Sequence, residues 1–267
     1  MSASRPILLL AVLFVAATFL AWYFSWFGRG LSDADISKYL ADEKNPRHVQ
    51  HALLQIQERM ERGDTSVKTW YPRLVTLSGN PETEFRLTVA WLMGFDNQAP
   101  EFHEALLKLL RDPEPIVRRN AALALVRFED GSGREELVAI LRPYALQAPV
   151  DGTVESSMRE GATVARRTLL ARIEEPDGKV VELRSPLPGR VAKLTKPNGS
   201  PVKRDEELLT INSDEQSVWE ALRGLALVGA AEDLPLIQSY ADSNEVSKRV
   251  KEQADLTVKT INRRLHG

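Results

Sequence analysis

Between Ser32 and Tyr144 the apolar positions recur at steps of three and four, the period of helices that bury one face. From Pro149 to Ile211 the pattern changes to short runs of valine, leucine and isoleucine broken by glycine, proline and aspartate, which predicts short strands. The helical period returns from Asp214 to Leu265, and ahead of all three stretches Ile7 to Phe27 shows no polar face at all. This divides the chain into a tail with an apolar segment (1–30), helical repeats (31–147), a small β domain (148–212) and further helical repeats (213–267).

The helical stretch is punctuated by Asn45-Pro46, Asn80-Pro81 and Asp112-Pro113, spaced 35 and 32 residues apart. Proline at the first helical position forfeits no hydrogen bond, and the preceding Asn or Asp can cap free amides. A period of that length predicts an α-solenoid, whose helix pairs bury their apolar faces only against neighbours. Ser132-Gly133-Arg134-Glu135 reads as a capping box, as does Ser213 with Gln216, and Pro72 interrupts the second helix of the first unit. Past the β stretch, Leu225-Ala226-Leu227-Val228 stands 102 residues after Leu123-Ala124-Leu125-Val126, so the β domain is an insertion between repeats. A last helix is predicted from about Glu245 to Leu265, with Arg263, Arg264 and His266 at the negative end of its dipole.

The third unit, Asp112-Pro113-Glu114-Pro115-Ile116-Val117-Arg118-Arg119-Asn120-Ala121-Ala122-Leu123, resembles a HEAT repeat, with an Asp opening, a Val-Arg step and an alanine-rich helix. That resemblance implies an armadillo-like superhelix whose curved surface binds protein partners.

The β stretch repeats itself. Gly152-Thr153-Val154, Gly161, Leu170 and Ile173 are echoed by Gly189-Arg190-Val191, Gly199, Leu208 and Ile211, with a step of 12 residues from the second glycine to the isoleucine in each copy. Glycines at matching places predict positive φ or close approach of another strand. The echo resembles biotinyl/lipoyl-like domains, which are barrel-sandwich hybrids. In carrier members a lysine sits at the tip of the hairpin joining the halves. Here the tip reads Glu175-Pro176-Asp177-Gly178-Lys179, one residue longer, so Lys179 stands one place from the family's position. Lys179 is the one modification candidate, and no prosthetic group is expected on it. The echo is also similar to the core of periplasmic adaptor proteins of bacterial export pumps, which carry no prosthetic group; their long helical hairpin has no counterpart here.

Ile7 to Phe27 is long enough for a transmembrane helix, which takes about 20 apolar residues, and ends in an aromatic cluster suited to a membrane interface. The expectation is an uncleaved single-pass anchor in a bacterial inner membrane, with residues 7–27 in the bilayer and the folded parts on the extracytoplasmic side. The fold class is then multidomain α plus β: an N-terminal transmembrane helix, then a HEAT-like α-solenoid interrupted by a small all-β barrel-sandwich hybrid.

Composition narrows the chemistry. The 35 basic and 37 acidic residues balance, which leaves no electrostatic footprint for nucleic acid, and the absence of cysteine removes thiolate ligands and nucleophiles together. No nucleophile elbow or phosphate-binding glycine loop appears. His48 and His51 share a helix but lack a third ligand nearby, so no metal site is expected. Trp70, Tyr71, Trp91 and Trp219 could anchor a partner, with packing the leading reading for Trp91 and Trp219. The Arg118-Arg119 and Arg166-Arg167 pairs could bind acidic groups or line solvated faces. The resulting expectation is a non-enzymatic, membrane-anchored scaffold or adaptor that binds protein partners, in a membrane transport or envelope complex, with no catalytic residues, cofactor or metal. The alternatives are a carrier modified at Lys179 and a cell-envelope enzyme with an undetected site.

Overall fold

A computed structural model describes residues 11–19 and 30–266 of the chain, which divides into two units, Met1–Val67 and Lys68–Gly267.

In the first unit residues 11–19 are helical (α1), followed by α2 (Asp33–Ala41) and α3 (Pro46–Glu61). The Ser32 hydroxyl accepts the Asp35 N–H at 3.1 Å and so caps α2, while Pro46 opens α3. Ile36 and Leu40 of α2 and Val49, Leu53 and Ile56 of α3 are buried, at the spacing that puts each set on one helix face. Arg59 reaches back from α3 to the Asp33 carboxylate at 2.6 Å.

The transmembrane anchor is not supported. Of the run 7–27, only residues 11–19 are described, and they are helical. Residues 7–10 and 20–27, with the aromatic cluster from Trp22, lie outside the described residues. No helix among the described residues is long and apolar enough to cross a membrane. The expected fold class with its transmembrane helix, the single-pass inner-membrane location and the bilayer contact through 7–27 are corrected accordingly; what stands is a mixed architecture of helices and a β domain.

The second unit contains α4 (Tyr71–Leu77), α5 (Thr83–Met93), α6 (Pro100–Leu109), α7 (Pro115–Arg127) and α8 (Arg134–Ile140). Eight strands follow, and then α9 (Glu215–Val228), α10 (Leu234–Asp242) and α11 (Lys248–His266). Asn80-Pro81 and Asp112-Pro113, unlike Asn45-Pro46, act in the turn ahead of the helix. The side chains of Asn80 and Asp112 accept the N–H two residues on, Glu82 and Glu114, each at 2.9 Å. These turns delay the first helical residue to Thr83 and Pro115. Arg86 and Arg118 then fold back onto the carbonyls of Asn80 and Asp112, each at 2.9 Å. Arg86 also grips the nearly buried Asp112 through two bonds, at 2.6 and 3.0 Å, so one repeat is tied to the next. Other caps shift as well. Asp130, not Ser132, accepts at the entry to α8, Asp214 rather than Ser213 caps α9, and Pro72 lies in the first turn of α4 instead of interrupting it.

Helix α7 packs against α5 on one side and α9 on the other, and α8 also packs on α9, so the helical layers continue across the β strands. One core joins Ala122, Leu137 and Ile140 to Leu222, Leu225 and Ile261. Polar ties reinforce it. Arg134 binds Asp233 at 2.8 and 3.0 Å, and the Tyr240 hydroxyl donates to the Leu141 carbonyl at 2.8 Å. Arg264 does not serve its own helix end; its guanidinium caps the C-terminal carbonyls of α9, including Ala226 at 3.0 Å.

The strands are β1 (Tyr144–Gln147), β2 (Gly152–Glu155), β3 (Thr163–Val164), β4 (Leu169–Glu174), β5 (Val180–Arg184), β6 (Gly189–Leu194), β7 (Pro201–Val202) and β8 (Glu207–Ser213). They form two antiparallel sheets ordered β1-β8-β6-β3 and β5-β4-β2-β7. The echo in the sequence is an echo in space: β2, β3 and β4 of the first copy correspond to β6, β7 and β8 of the second. Each copy lends its short middle strand to the other's sheet, β3 to β6 and β7 to β2. Gly152 and Gly189 hold matching positions for one reason. A Cβ on Gly152 would collide with the Glu174 carbonyl and one on Gly189 with the Asn212 carbonyl, beside Ile173 and Ile211 respectively.

Candidate interaction surface

Helices α5, α7 and α9 approach closely because small residues line their contacts. A Cβ on Gly94 would stand 3.1 Å from that of Ala124, and one on Gly224 would stand 3.2 Å from the Val126 side chain. Between the three helices runs a groove of about 250 Å³, lined by Trp91, Leu123, Arg127, Glu220, Arg223 and Leu227 among others. Leu227 is 61% exposed at its edge. The aromatic rings nearby are covered by cations. Arg127 lies 5.4 Å from the centre of the Trp91 ring and 5.0 Å from that of Phe95. Trp219 holds Arg223 at 4.7 Å and Arg249, from α11, at 3.9 Å. The face therefore combines apolar area, aromatic rings and guanidinium groups, the side-chain types that carry most binding energy in protein interfaces.

The aromatic candidates occupy different environments. Trp70 and Tyr71 are buried, the Tyr71 ring 4.2 Å from Phe102 and its hydroxyl donating to Asp96 at 2.9 Å, whereas Trp91 is half-buried at the groove and Trp219 is half-buried against the core. Burial and the Asp96 carboxylate both push the Tyr71 phenol upward, so it stays neutral. Arg127, Arg223, Arg249 and Leu227 escaped the sequence reading. Their signal was a four-residue step from Trp91 to Phe95 and from Trp219 to Arg223, visible only once α5 and α9 are known to share a neighbour.

The remaining candidates fall as follows. His48 stacks on Tyr39 with ring centres 4.3 Å apart and bonds the Asp42 carboxylate at 2.8 Å, while His51 lies 6.1 Å from the same tyrosine. Bonds from Asn45 and then His48 hold the Asp42 carboxyl below its ordinary range. Among the described residues no cluster of three or more His, Cys, Asp or Glu side chains could hold a metal ion. Arg166 and Arg167 do meet an acidic group, but it is the chain's own Glu84 on α5, the second at 3.6 Å, which docks the β domain onto the helices. Arg118 is paired with Glu136 at 2.6 Å, and Arg119 is buried. At the β4–β5 hairpin the turn is closed by Glu175 and Lys179, whose backbones bond at 2.8 Å, with Gly178 at φ 84°. Asp177 and Gly178 occupy the tip. Lys179 is exposed on its shoulder, with its ammonium 3.3 Å from the Glu175 carboxylate.

A family model for HEAT repeats matches residues 71–163. Its helical part ends with α8, and the match runs on into β1, β2 and β3. One solved structure, described as a single-chain, multi-domain long-chain acyl-CoA carboxylase, aligns at 24% identity over 28% of this chain and 8% of its own, with a TM-score of 0.26, too slight a likeness to carry an argument. No curated protein matches the chain. Fold and match together give a helical region that carries a HEAT-repeat match over 71–163 and a small β domain, and HEAT repeats suggest a scaffold for protein interaction.

Proposed function

We propose that the chain is a non-enzymatic protein scaffold whose partner lies along the groove between α5, α7 and α9, with the unmodified, lipoyl-like β domain making a second contact. The observation that carries this reading is the groove itself: exposed Leu227 beside half-buried Trp91, rimmed by Arg127 and Arg223. A partner presenting apolar side chains with acidic neighbours is complementary to it. The hairpin supports an unmodified β domain, since Lys179 is held on the shoulder of the turn rather than at its tip.

The test places a photo-crosslinking residue at Leu227 and, separately, at Lys108, an exposed position on α6. Capture from a native extract is followed by intact-mass measurement of the recovered chain. The expected result is one stoichiometric partner cross-linked from 227 and not from 108, lost on Leu227→Asp, with the chain at its unmodified mass. Equal capture from both positions refutes the groove, and a mass increment localised to Lys179 replaces the scaffold with a carrier.

A further inference from the structure

Arg119 is 4% exposed, yet its Nη1 has no hydrogen-bond partner. The position is not built for a cation elsewhere in the helical layers. Arg86 and Arg118 are equivalent, since each folds back on the carbonyls that precede its helix, so the residue matching Arg119 in α5 is Leu87. A buried guanidinium without a bonding partner is among the costliest arrangements a protein can hold. It points to a group that completes it.

Arg119 lines a cleft of about 690 Å³ bounded by α7, α8, the start of β1 and Glu232–Asp233. The other guanidinium groups inside are occupied: Arg118 by Glu136 at 2.6 Å, and Arg134 by Asp233 at 2.8 Å and Glu232 at 2.6 Å. Arg142 lines the same cleft, exposed and without an ion pair among the described residues. Two positive charges are thus uncommitted, one deep and one at the mouth. Burial draws the Arg119 guanidinium down to about 10, with Glu136 and then Asp214 acting against that, so it remains charged at neutral pH. Glu135, Glu136, Glu232 and Asp233 line the same walls and would repel a doubly charged guest.

We propose that this cleft is a binding site for a single carboxylate, one oxygen of which accepts the free Nη1–H of Arg119 while Arg142 attends the mouth. The carboxylate comes from a small organic acid or from the chain terminus of a peptide; the chemistry at Arg119 is the same.

The experiment follows thermal unfolding of the full chain at constant ionic strength as chloride is replaced by propionate, by phosphate, or by trialanine with a free or an amidated carboxy terminus. Wild type should show a saturable rise in Tm with propionate, and Arg119→Leu should show none while unfolding at a higher temperature than wild type in chloride. A free-terminus trialanine effect at concentrations about tenfold lower than propionate, absent from the amide, assigns the carboxylate to a peptide; equal effects assign it to a small acid. A wild-type response no larger than that of Arg119→Leu, or a stronger response to phosphate than to propionate, overturns the proposal. If the variant does not fold, the Arg119 Nε–H resonance of wild type decides: it must move on adding propionate, and a stationary signal is equally fatal.

Discussion

Replacing Asp112 by alanine removes both carboxylate oxygens from the Arg86 guanidinium and leaves that cation in a site where its side chain is 11% exposed. Two charge-assisted bonds, of 2.6 and 3.0 Å, are lost together with the turn bond of 2.9 Å to the Glu114 N–H. Stranding one member of a buried pair costs about 3–5 kcal/mol, and the turn bond adds about 1 kcal/mol. For a folded body of this size 1 kcal/mol corresponds to about 2–4 °C. The expected fall in Tm is then about 10–20 °C. Asp112→Asn, which retains the turn acceptor, should recover the smaller share only. Urea unfolding read by circular dichroism, with Arg86→Leu and the double variant completing a cycle, isolates the pair. The coupling should reach about 2 kcal/mol, the upper part of the range for contacting residues. A coupling below about 0.5 kcal/mol, the level at which independent sites add, would refute the idea that this pair locks successive repeats.

Gly189→Ala should destabilise the β domain by about 1–3 kcal/mol, the usual cost of overpacking, because its methyl would meet the Asn212 carbonyl and the Ile211 side chain. Hydrogen exchange should quicken across 144–213 and not in α5; unchanged exchange would show that β6 can shift freely. Acid titration offers a separate check. Burial raises the Asp130 carboxyl, but bonds from Ser132 and then His103 outweigh it, so the folded value lies below the ordinary 3.8. A depressed carboxylate contributes stability that is present above its unfolded value and lost as pH falls through its folded one. Asp130→Asn should therefore flatten stability loss below about pH 4, and an acid limb identical to that of wild type would exclude Asp130 as a contributor.

The helix pairs were legible because Pro and Asn or Asp impose local geometry that neighbours do not override. The offsets of two residues at Thr83 and Pro115 arise because Asn80 and Asp112 serve the turn ahead of the helix, which local preference alone does not distinguish from a cap. The doubled β pattern was legible too, yet its meaning was not. Spacing identified Gly152 and Gly189 as partners, while the exchange of β3 and β7 between sheets depends on long-range pairing. Arg119 was hidden for a plainer reason. Next to Arg118, within a recognised repeat motif, it reads as surface charge, and only the three-dimensional equivalence with Leu87 reveals a cation in an apolar position. Trp219 packs against the core, as its helix position implies, while Trp91 is half-buried at the groove. The apolar run at 7–27 is a matter of length and hydropathy alone, and no helix among the described residues is long and apolar enough to cross a membrane.

The chain leaves the helices just after Leu141 and comes back to them at Asp214, and the strands that carry it out and back are neighbours, with Tyr144 of β1 opposite Ile211 of β8. That geometry has a consequence for the order of assembly. Docking α9 on α7 from a disordered chain would require closing a long loop, whose entropy opposes the contact. Once β1 and β8 have zipped together, the loop is already closed and the two helices meet as near neighbours. Non-local strand pairing is slow beside helix formation. The pace at which α9, α10 and α11 join the helical layers is thus set by the sheets, and lesions in the β domain should delay maturation of these helices.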